Sequence, residues 1–411
     1  MRAMDLEQHY CAHNYTPLDV EVASGDGAWL TDSDGKRYLD MMSAYSAVSH
    51  GHGHPRIIKA LTDQLGRVAV TSRAFYTDKL GPFLEKLCAV SGFEAALPMN
   101  TGAEAVETAI KAARRWGYAV KSISSDQAEI IVGTNNFHGR TTTIVSFSTD
   151  DEYKRQFGPF SGGFVSANYG DIHAFEAAIT PDTCAIMIEP IQGEAGIVAP
   201  PDGFLTKLRA LCDKHNVLLI LDEIQSGLGR TGKMFAFQHE DMRPDGLILG
   251  KALGGGVLPV SAFLADKAVM DLFGPGSHGS TFGGNPLAAA VAMEALAVLE
   301  EEDLIGRSAE LGAMMKSRIE RMKSPLIRQV RGKGLWLGVE FWPEKAQAKD
   351  VVLRLKDRMI LAKETHATTL RLAPPLVIDK ADLEWALTQF ESVLQEVERG
   401  SYRDAECHAA E

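Results

Sequence analysis

Val217-Leu218-Leu219-Ile220-Leu221-Asp222 and, further along, Gly246-Leu247-Ile248-Leu249-Gly250-Lys251 are the stretches whose reading decides the fold. Each run is continuously apolar and bounded by turn residues, the pattern of a parallel strand buried on both faces. A carboxylate and an amine at the carboxyl ends of two such strands lie at the crevice where open α/β sheets bind ligands. Taken alone, Asp222 would be a helix cap and Lys251 a solvated loop lysine. The neighbouring segments change that reading.

Outward from these strands, residues 80–295 alternate helical patterns with short apolar runs. Examples are Ile130-Ile131-Val132, Thr143-Ile144-Val145 and Ala185-Ile186-Met187-Ile188, each read as a strand. Strand–helix alternation predicts right-handed crossovers and an α/β fold, with a mainly parallel sheet flanked by helices. A helical pattern over 286–302 leads into a smaller α+β unit. That unit has strands near 335–341 and 369–372, a closing helix over 380–397, and a polar tail, 399–411, expected to fray. Residues 1–24 read as an irregular arm before a hairpin, whose strands flank Asp32-Ser33-Asp34-Gly35. The expected organisation is an arm and hairpin over 1–48 belonging to the smaller domain, a large domain over 49–296, the smaller domain over 297–398, and the tail.

The chain has 411 residues, more than one ordinary core accommodates. Its 45% hydrophobic and 23% charged residues are those of a globular protein, and no apolar run nears the ~20 residues of a bilayer span. With 54 acidic against 42 basic residues the formal charge is −12, which disfavours nucleic-acid and anionic-membrane partners. Cys11, Cys88, Cys184, Cys212 and Cys407 are dispersed without C-x-x-C spacing, as expected of reduced thiols in a cytoplasm. The amino terminus lacks a secretory apolar core and is too acidic for a transit peptide. No metal is expected. His50, His52 and His54 alternate with glycines before Pro55, a loop-to-helix junction with no carboxylate or cysteine to complete a ligand set. The D-x-D-G string has Lys36 where a calcium loop needs its next ligand.

Several segments carry chemistry. Asn100-Thr101-Gly102-Ala103-Glu104 opens a strong helical pattern, and amides at a helix start beside a small residue suit a phosphate. Gly227-Leu228-Gly229-Arg230-Thr231-Gly232-Lys233 satisfies G-x-x-x-x-G-K, but Met234 stands where magnesium needs a hydroxyl, so a triphosphatase is disfavoured. Phe137-His138-Gly139-Arg140 offers a ring to stack on and a two-pronged guanidinium for a carboxylate. Glu189 through Glu194 ends another strand. Ser280 and Thr281 precede the helix at Pro286, and Arg371 lies close to a strand of the smaller unit. Pyridoxal phosphate chemistry needs the pair at the two strand ends: a lysine to hold the aldehyde as a Schiff base, and an acid to keep the pyridine nitrogen protonated.

In their order along the chain these segments closely resemble the subgroup III aminotransferases, which share the fold type I pyridoxal phosphate architecture. The resemblance runs from Asn14-Tyr15 to Pro375 and rests on Ser43-Ala44-Tyr45-Ser46-Ala47-Val48, Thr71-Ser72-Arg73-Ala74-Phe75-Tyr76, Pro98-Met99-Asn100-Thr101-Gly102 and Glu189 through Gly196. It implies that Lys251 binds the cofactor aldehyde and later shuttles the proton, and that Asp222 pairs with the ring nitrogen. Gln225 would meet the ring hydroxyl, Phe137 would stack, and Thr101, Gly102 and Ala103 would hold the phosphate. Ser280 and Thr281 would reach the phosphate of a neighbouring subunit, implying a homodimer or an assembly of dimers. His138 stands in this pocket where some ornithine-using members carry tryptophan, and Phe282 where tyrosine is common.

Within the family, Tyr45 and Glu194 resemble the branch acting on the δ-amine of L-ornithine with 2-oxoglutarate as acceptor. By that resemblance Arg140 takes the distal carboxylate of the dicarboxylic partner and Arg371 its α-carboxylate. When ornithine enters, Glu194 covers Arg371, while Tyr15 and Tyr45 orient ornithine's α-carboxylate. An N-acetylornithine or other ω-amino acid aminotransferase would keep Lys251, Asp222 and Arg140 and differ around Tyr15 and Tyr45. An aminomutase would not need both arginines. A catalytically silent regulatory protein on the same fold would not need Lys251, Asp222 and both arginines together.

Overall fold

The computed structural model describes residues 2–408, the side chains of 401–408 excepted, so Cys407 lies outside the described side chains. Its centre is a seven-stranded sheet in the order Ala95–Met99, Ser261–Ala265, Gly246–Leu249, Leu218–Asp222, Thr183–Ile188, Glu129–Gly133, Phe164–Ala167. Only the Ser261–Ala265 strand runs against its neighbours. The expected mainly parallel α/β sheet is therefore present.

Side-chain alternation along these strands divides the core in two. Leu218, Ile220 and Ile248 pack with Ala105, Ala109 and Ala113 of the Gly102–Ala119 helix. Leu219, Leu221, Leu247 and Leu249 belong to the other core, with helices Phe204–His215 and Pro286–Glu301. Asp222 shares the parity of Leu218 and Ile220, which aims it toward the start of the Gly102–Ala119 helix.

Two smaller sheets flank this body. Val22–Asp26, Trp29–Asp32 and Arg37–Asp40 form antiparallel ribbons, and Ile360–Leu361 adds in parallel beside Leu39 and Asp40. The hairpin turn is built as expected, with Asp32 Oδ1 accepting from the amides of Asp34 and Lys36. The second sheet is antiparallel, in the order Ile327–Gly332, Leu337–Phe341, Thr369–Leu372, Lys363–Thr365.

Three expectations are corrected. Thr142–Ser146 is a short helix rather than a strand, because the Thr141 hydroxyl caps it by accepting from the Ile144 amide. The amino-terminal arm carries a helix, Ala3–Tyr10, that buries no residue and so has no apolar stripe to betray it. The last helix does not stop near 397 but runs Lys380–His408, across most of the expected frayed tail.

The G-x-x-x-x-G-K string is a buried tie. The fully buried Arg230 guanidinium donates to the carbonyls of Leu335 and Pro374 and to the hydroxyls of Ser43 and Ser49, at 2.7–3.0 Å. It thereby fastens the segment after the first hairpin to the smaller antiparallel sheet. Burial pushes its pKa down to about 9, with Asp40 opposing. Gly334 admits the close approach: a Cβ there would sit 2.6 Å from the Arg230 carbonyl oxygen. Among the described residues, no helix is long and apolar enough to cross a membrane.

Candidate active site

The carboxyl ends of four parallel strands open into a cleft of about 590 Å³ whose lining includes Gly102, Ala103, Phe137, His138, Glu189, Asp222, Gln225 and Lys251. A larger groove of about 1310 Å³ runs along the arm, residues 3–22, but it gathers no such strand-end chemistry. We place the site in the smaller cleft because the titratable groups converge there.

Lys251 follows Gly250 directly at the end of the Gly246–Leu249 strand, with φ +44, a left-handed conformation unusual for a side-chain-bearing residue. Burial lowers its pKa from the ordinary 10.5; Glu194, Asp222 and Glu189 pull the other way, and Arg371 adds to the lowering. A lysine so depressed is closer to its neutral, nucleophilic form.

Asp222 is held on both oxygens. Oδ1 accepts from the Ile224 amide at 3.0 Å, and Oδ2 lies 2.6 Å from Nδ1 of His138. Burial would lower the His138 pKa, but its bond to Asp222 outweighs this and holds it above the ordinary 6.5. The two bonds fix the orientation of the Asp222 carboxylate at the cleft lining. The other ring nitrogen of His138, Nε2, is buried and has no hydrogen-bond partner among the described residues.

Beside the Asp222 and Lys251 turns begins the Gly102–Ala119 helix. Thr101 and Glu104 form a reciprocal capping box, while the amides of Gly102 and Ala103 have no partner among the described residues. A Cβ on Gly102 would meet Ile224 at 2.9 Å, so only glycine lets this helix start come so near the Asp222 turn. Free amides at the start of an 18-residue helix suit a phosphate. An amine, a carboxyl group, an aromatic ring and this helix terminus around one cleft fit a phosphorylated pyridine aldehyde.

A second cluster stands beside the first. Arg371 Nη1 donates to Glu194 Oε1 at 2.8 Å, and the guanidinium lies 4.6 Å from the centre of the Tyr45 ring. Arg140 has no carboxylate partner among the described residues; it lies 4.0 Å over the Tyr153 ring and 5.6 Å from that of Phe137. Gln225 is pressed against Gly193, where a Cβ would come within 2.1 Å of its Oε1.

Not every expected residue enters the cleft. Tyr15 is 76% exposed on the arm and lines the outer groove, although the next residue, Thr16, accepts from Lys363, whose strand partner is Arg371. Thr101 caps its helix at the rim. The Ser280 hydroxyl accepts from Asn100 and from the Gly283 amide, Thr281 is exposed, and neither lines this chain's own cleft.

Glu189 and Tyr153 had no role in the sequence reading. The buried Glu189 carboxyl accepts from the amides of Phe137 at 3.0 Å and Gly193 at 3.3 Å, joining the loop that bears the stacking ring to the loop that bears Glu194. Burial pushes its pKa up from 4.5 to about 7. A carboxyl raised in the folded state contributes stability that is full below 4.5 and is lost as pH rises through about 7. Glu189→Gln does not titrate, so the stability difference from the unmodified chain should move in the variant's favour across that window. Urea unfolding at several pH values reads this, and a pH-independent difference would remove Glu189 as the source. The string Glu189 through Gly196 was the one signal that marked this segment.

The model of the aminotransferase class-III family matches residues 10–394. An ornithine aminotransferase of Brevibacillus brevis is 55% identical over 395 residues, covering 96% of this chain and 98% of the relative. The ornithine aminotransferase of Toxoplasma gondii, with partial PLP occupancy at its active site, superposes with a TM-score of 0.96 at 43% identity over 97% of this chain and 95% of its own. An acetylornithine aminotransferase of Elizabethkingia anophelis superposes at 0.88, with 50% identity over 96% of this chain and 98% of its own.

Proposed function

The chain belongs to the class-III aminotransferases, and from that premise we propose that it moves the δ-amino group of L-ornithine to 2-oxoglutarate, giving glutamate-5-semialdehyde and glutamate in two alternating half-reactions. The observation that carries this reading is the Glu194–Arg371 ion pair beside Tyr45, together with an Arg140 that has no carboxylate partner among the described residues. A pocket serving both a diamino acid and a dicarboxylate needs one arginine always ready and another that can be covered.

Pyridoxal phosphate, when bound, supplies an aldehyde for the amine and a ring that draws electrons from the bonds at the reacting carbon. Lys251 Nζ would hold that aldehyde and would move the proton at the reacting carbon. Asp222, oriented by His138, would pair with the ring nitrogen. Phe137 stacks on the ring, Gln225 meets its hydroxyl, and Thr101, Gly102 and Ala103 hold the phosphate. Arg140 binds the distal carboxylate of the dicarboxylic partner, and Arg371, freed of Glu194, its α-carboxylate. With the pair closed, Tyr45 and Tyr15 steer ornithine's α-carboxylate so that its far amine reaches the cofactor.

Ser280, Thr281 and the exposed Phe75, Tyr76 and Phe282 support a homodimer, or an assembly of dimers, in which the 280–281 loop completes the partner's site. Residues 1–48 and 297–398 make the smaller domain and 49–296 the larger, consistent with Ile360 pairing beside Leu39. The enzyme works in the cytoplasm, in arginine and proline metabolism.

The holoenzyme, mixed separately with ornithine, N-acetylornithine and 4-aminobutyrate without oxoacid, should lose its cofactor absorbance fastest with ornithine, and glutamate semialdehyde should be trapped. Faster reaction with N-acetylornithine would transfer the assignment to the acetylated substrate. Glu194→Ala should raise the glutamate-to-ornithine ratio of half-reaction rates by about 10- to 100-fold, the size of one charge-assisted pair of about 1.5–3 kcal/mol. An unchanged ratio would remove the gate.

A further inference from the structure

Arg140 is a long, exposed side chain on a loop, and such a side chain ordinarily spends rotamer freedom to bind an anion. Here two rings support it. Its guanidinium lies 4.0 Å over Tyr153 and 5.6 Å from Phe137, and these rings meet edge to face at 5.9 Å. A guanidinium held over ring faces still has N–H groups to offer a carboxylate, and the Tyr153 hydroxyl also hydrogen-bonds the Arg140 side chain.

The Tyr153 shelf is built into the strand-end architecture. It sits on the single turn Asp151–Lys154, started by Asp150 accepting from the Glu152 amide at 2.9 Å. The Asp150 amide in turn donates to Ser148, and the Asn135 amide donates to Thr149 at 2.7 Å, so this segment is fastened to the loop that follows the Glu129–Gly133 strand. The Tyr153 hydroxyl is pushed above its ordinary 10.0 by burial, against the opposing pull of Arg140. The ring therefore stays neutral and leaves the arginine's charge to the ligand.

We propose that Tyr153 is a positioning residue that sets the preference for dicarboxylic substrates, by holding Arg140 as a preformed cradle for the carboxylate farthest from the reacting carbon. This rests on the aminotransferase reading and deepens it, because nothing in the sequence pattern assigns Tyr153 a role. Ornithine has no second carboxylate, so its half-reaction should not depend on the shelf.

The test compares Tyr153→Leu, Tyr153→Phe and the unmodified holoenzyme in two separate half-reactions, one with L-glutamate and one with L-ornithine. In Tyr153→Leu the KM for glutamate should rise about tenfold at nearly unchanged limiting rate, while the ornithine half-reaction stays within about twofold. Tyr153→Phe, which keeps the ring, should restore the glutamate KM. An unchanged glutamate KM in Tyr153→Leu, or an equal loss with both donors, would overturn the inference. A holoenzyme that reacts with glutamate but not with ornithine would overturn the ornithine reading instead, and the glutamate arm would still decide the role of Tyr153.

Discussion

Lys251→Ala is expected to lower turnover by about 10⁴-fold or more, the upper range for losing a positioned acid–base group, with its role as the aldehyde's resting partner lost in addition. Two features of its place in the fold underlie that size. The amine directly follows a fully buried strand, which fixes its place at the cleft. Its pKa is already depressed by burial, which moves the amine toward the neutral form that a base needs. The variant should still bind cofactor through the helix terminus and Asp222, but without the absorbance of the lysine-bound form. Added methylamine, small enough for the vacated space, should restore part of the half-reaction rate. Full transamination by Lys251→Ala would remove the mechanism altogether.

Asp222→Asn should slow both half-reactions by about 10²- to 10³-fold, the effect of removing one preorganised charge from a water-poor site. Unlike the Tyr153 and Glu194 substitutions, it should not discriminate between ornithine and glutamate, because the ring nitrogen serves both. A donor-selective loss would therefore contradict the assignment. The substitution has a second readout. In the unmodified chain the Asp222–His138 bond holds His138 above 6.5, so its contribution to stability is full below 6.5 and fades as pH climbs through the raised value. That part of the pH dependence of unfolding should vanish in Asp222→Asn.

The sequence reading succeeded where local pattern and three-dimensional environment coincide. Leu218–Asp222 and Gly246–Leu249 are buried on both faces, so continuous apolarity announced them, and their terminal residues had to fall at the cleft. It failed where a single hydroxyl or carboxylate overrides propensity. Thr143, Ile144 and Val145 are β-branched, yet the cap from Thr141 turns them into a helix. Glu189 and Asp222 act through partners 52 and 84 residues away, so neither bond could be read from neighbours in the chain. Tyr153 lies in the charged stretch Asp150-Asp151-Glu152-Tyr153-Lys154-Arg155, where no local pattern marks it. Only the return of its segment to the strand end makes it the floor under Arg140.

A carboxylate already docked on Arg371 changes how the pocket's selectivity is to be counted. Glu194 acts as a tethered competitor: being part of the chain, it meets Arg371 at an effective concentration that no change in the surroundings can dilute. Any donor that must engage Arg371 therefore binds with its intrinsic affinity scaled down by the fraction of molecules in which that arginine stands bare. A donor that leaves the pair closed meets no such handicap. Discrimination between two amino donors then arises from how often one position is vacant, without a single contact made to the disfavoured molecule.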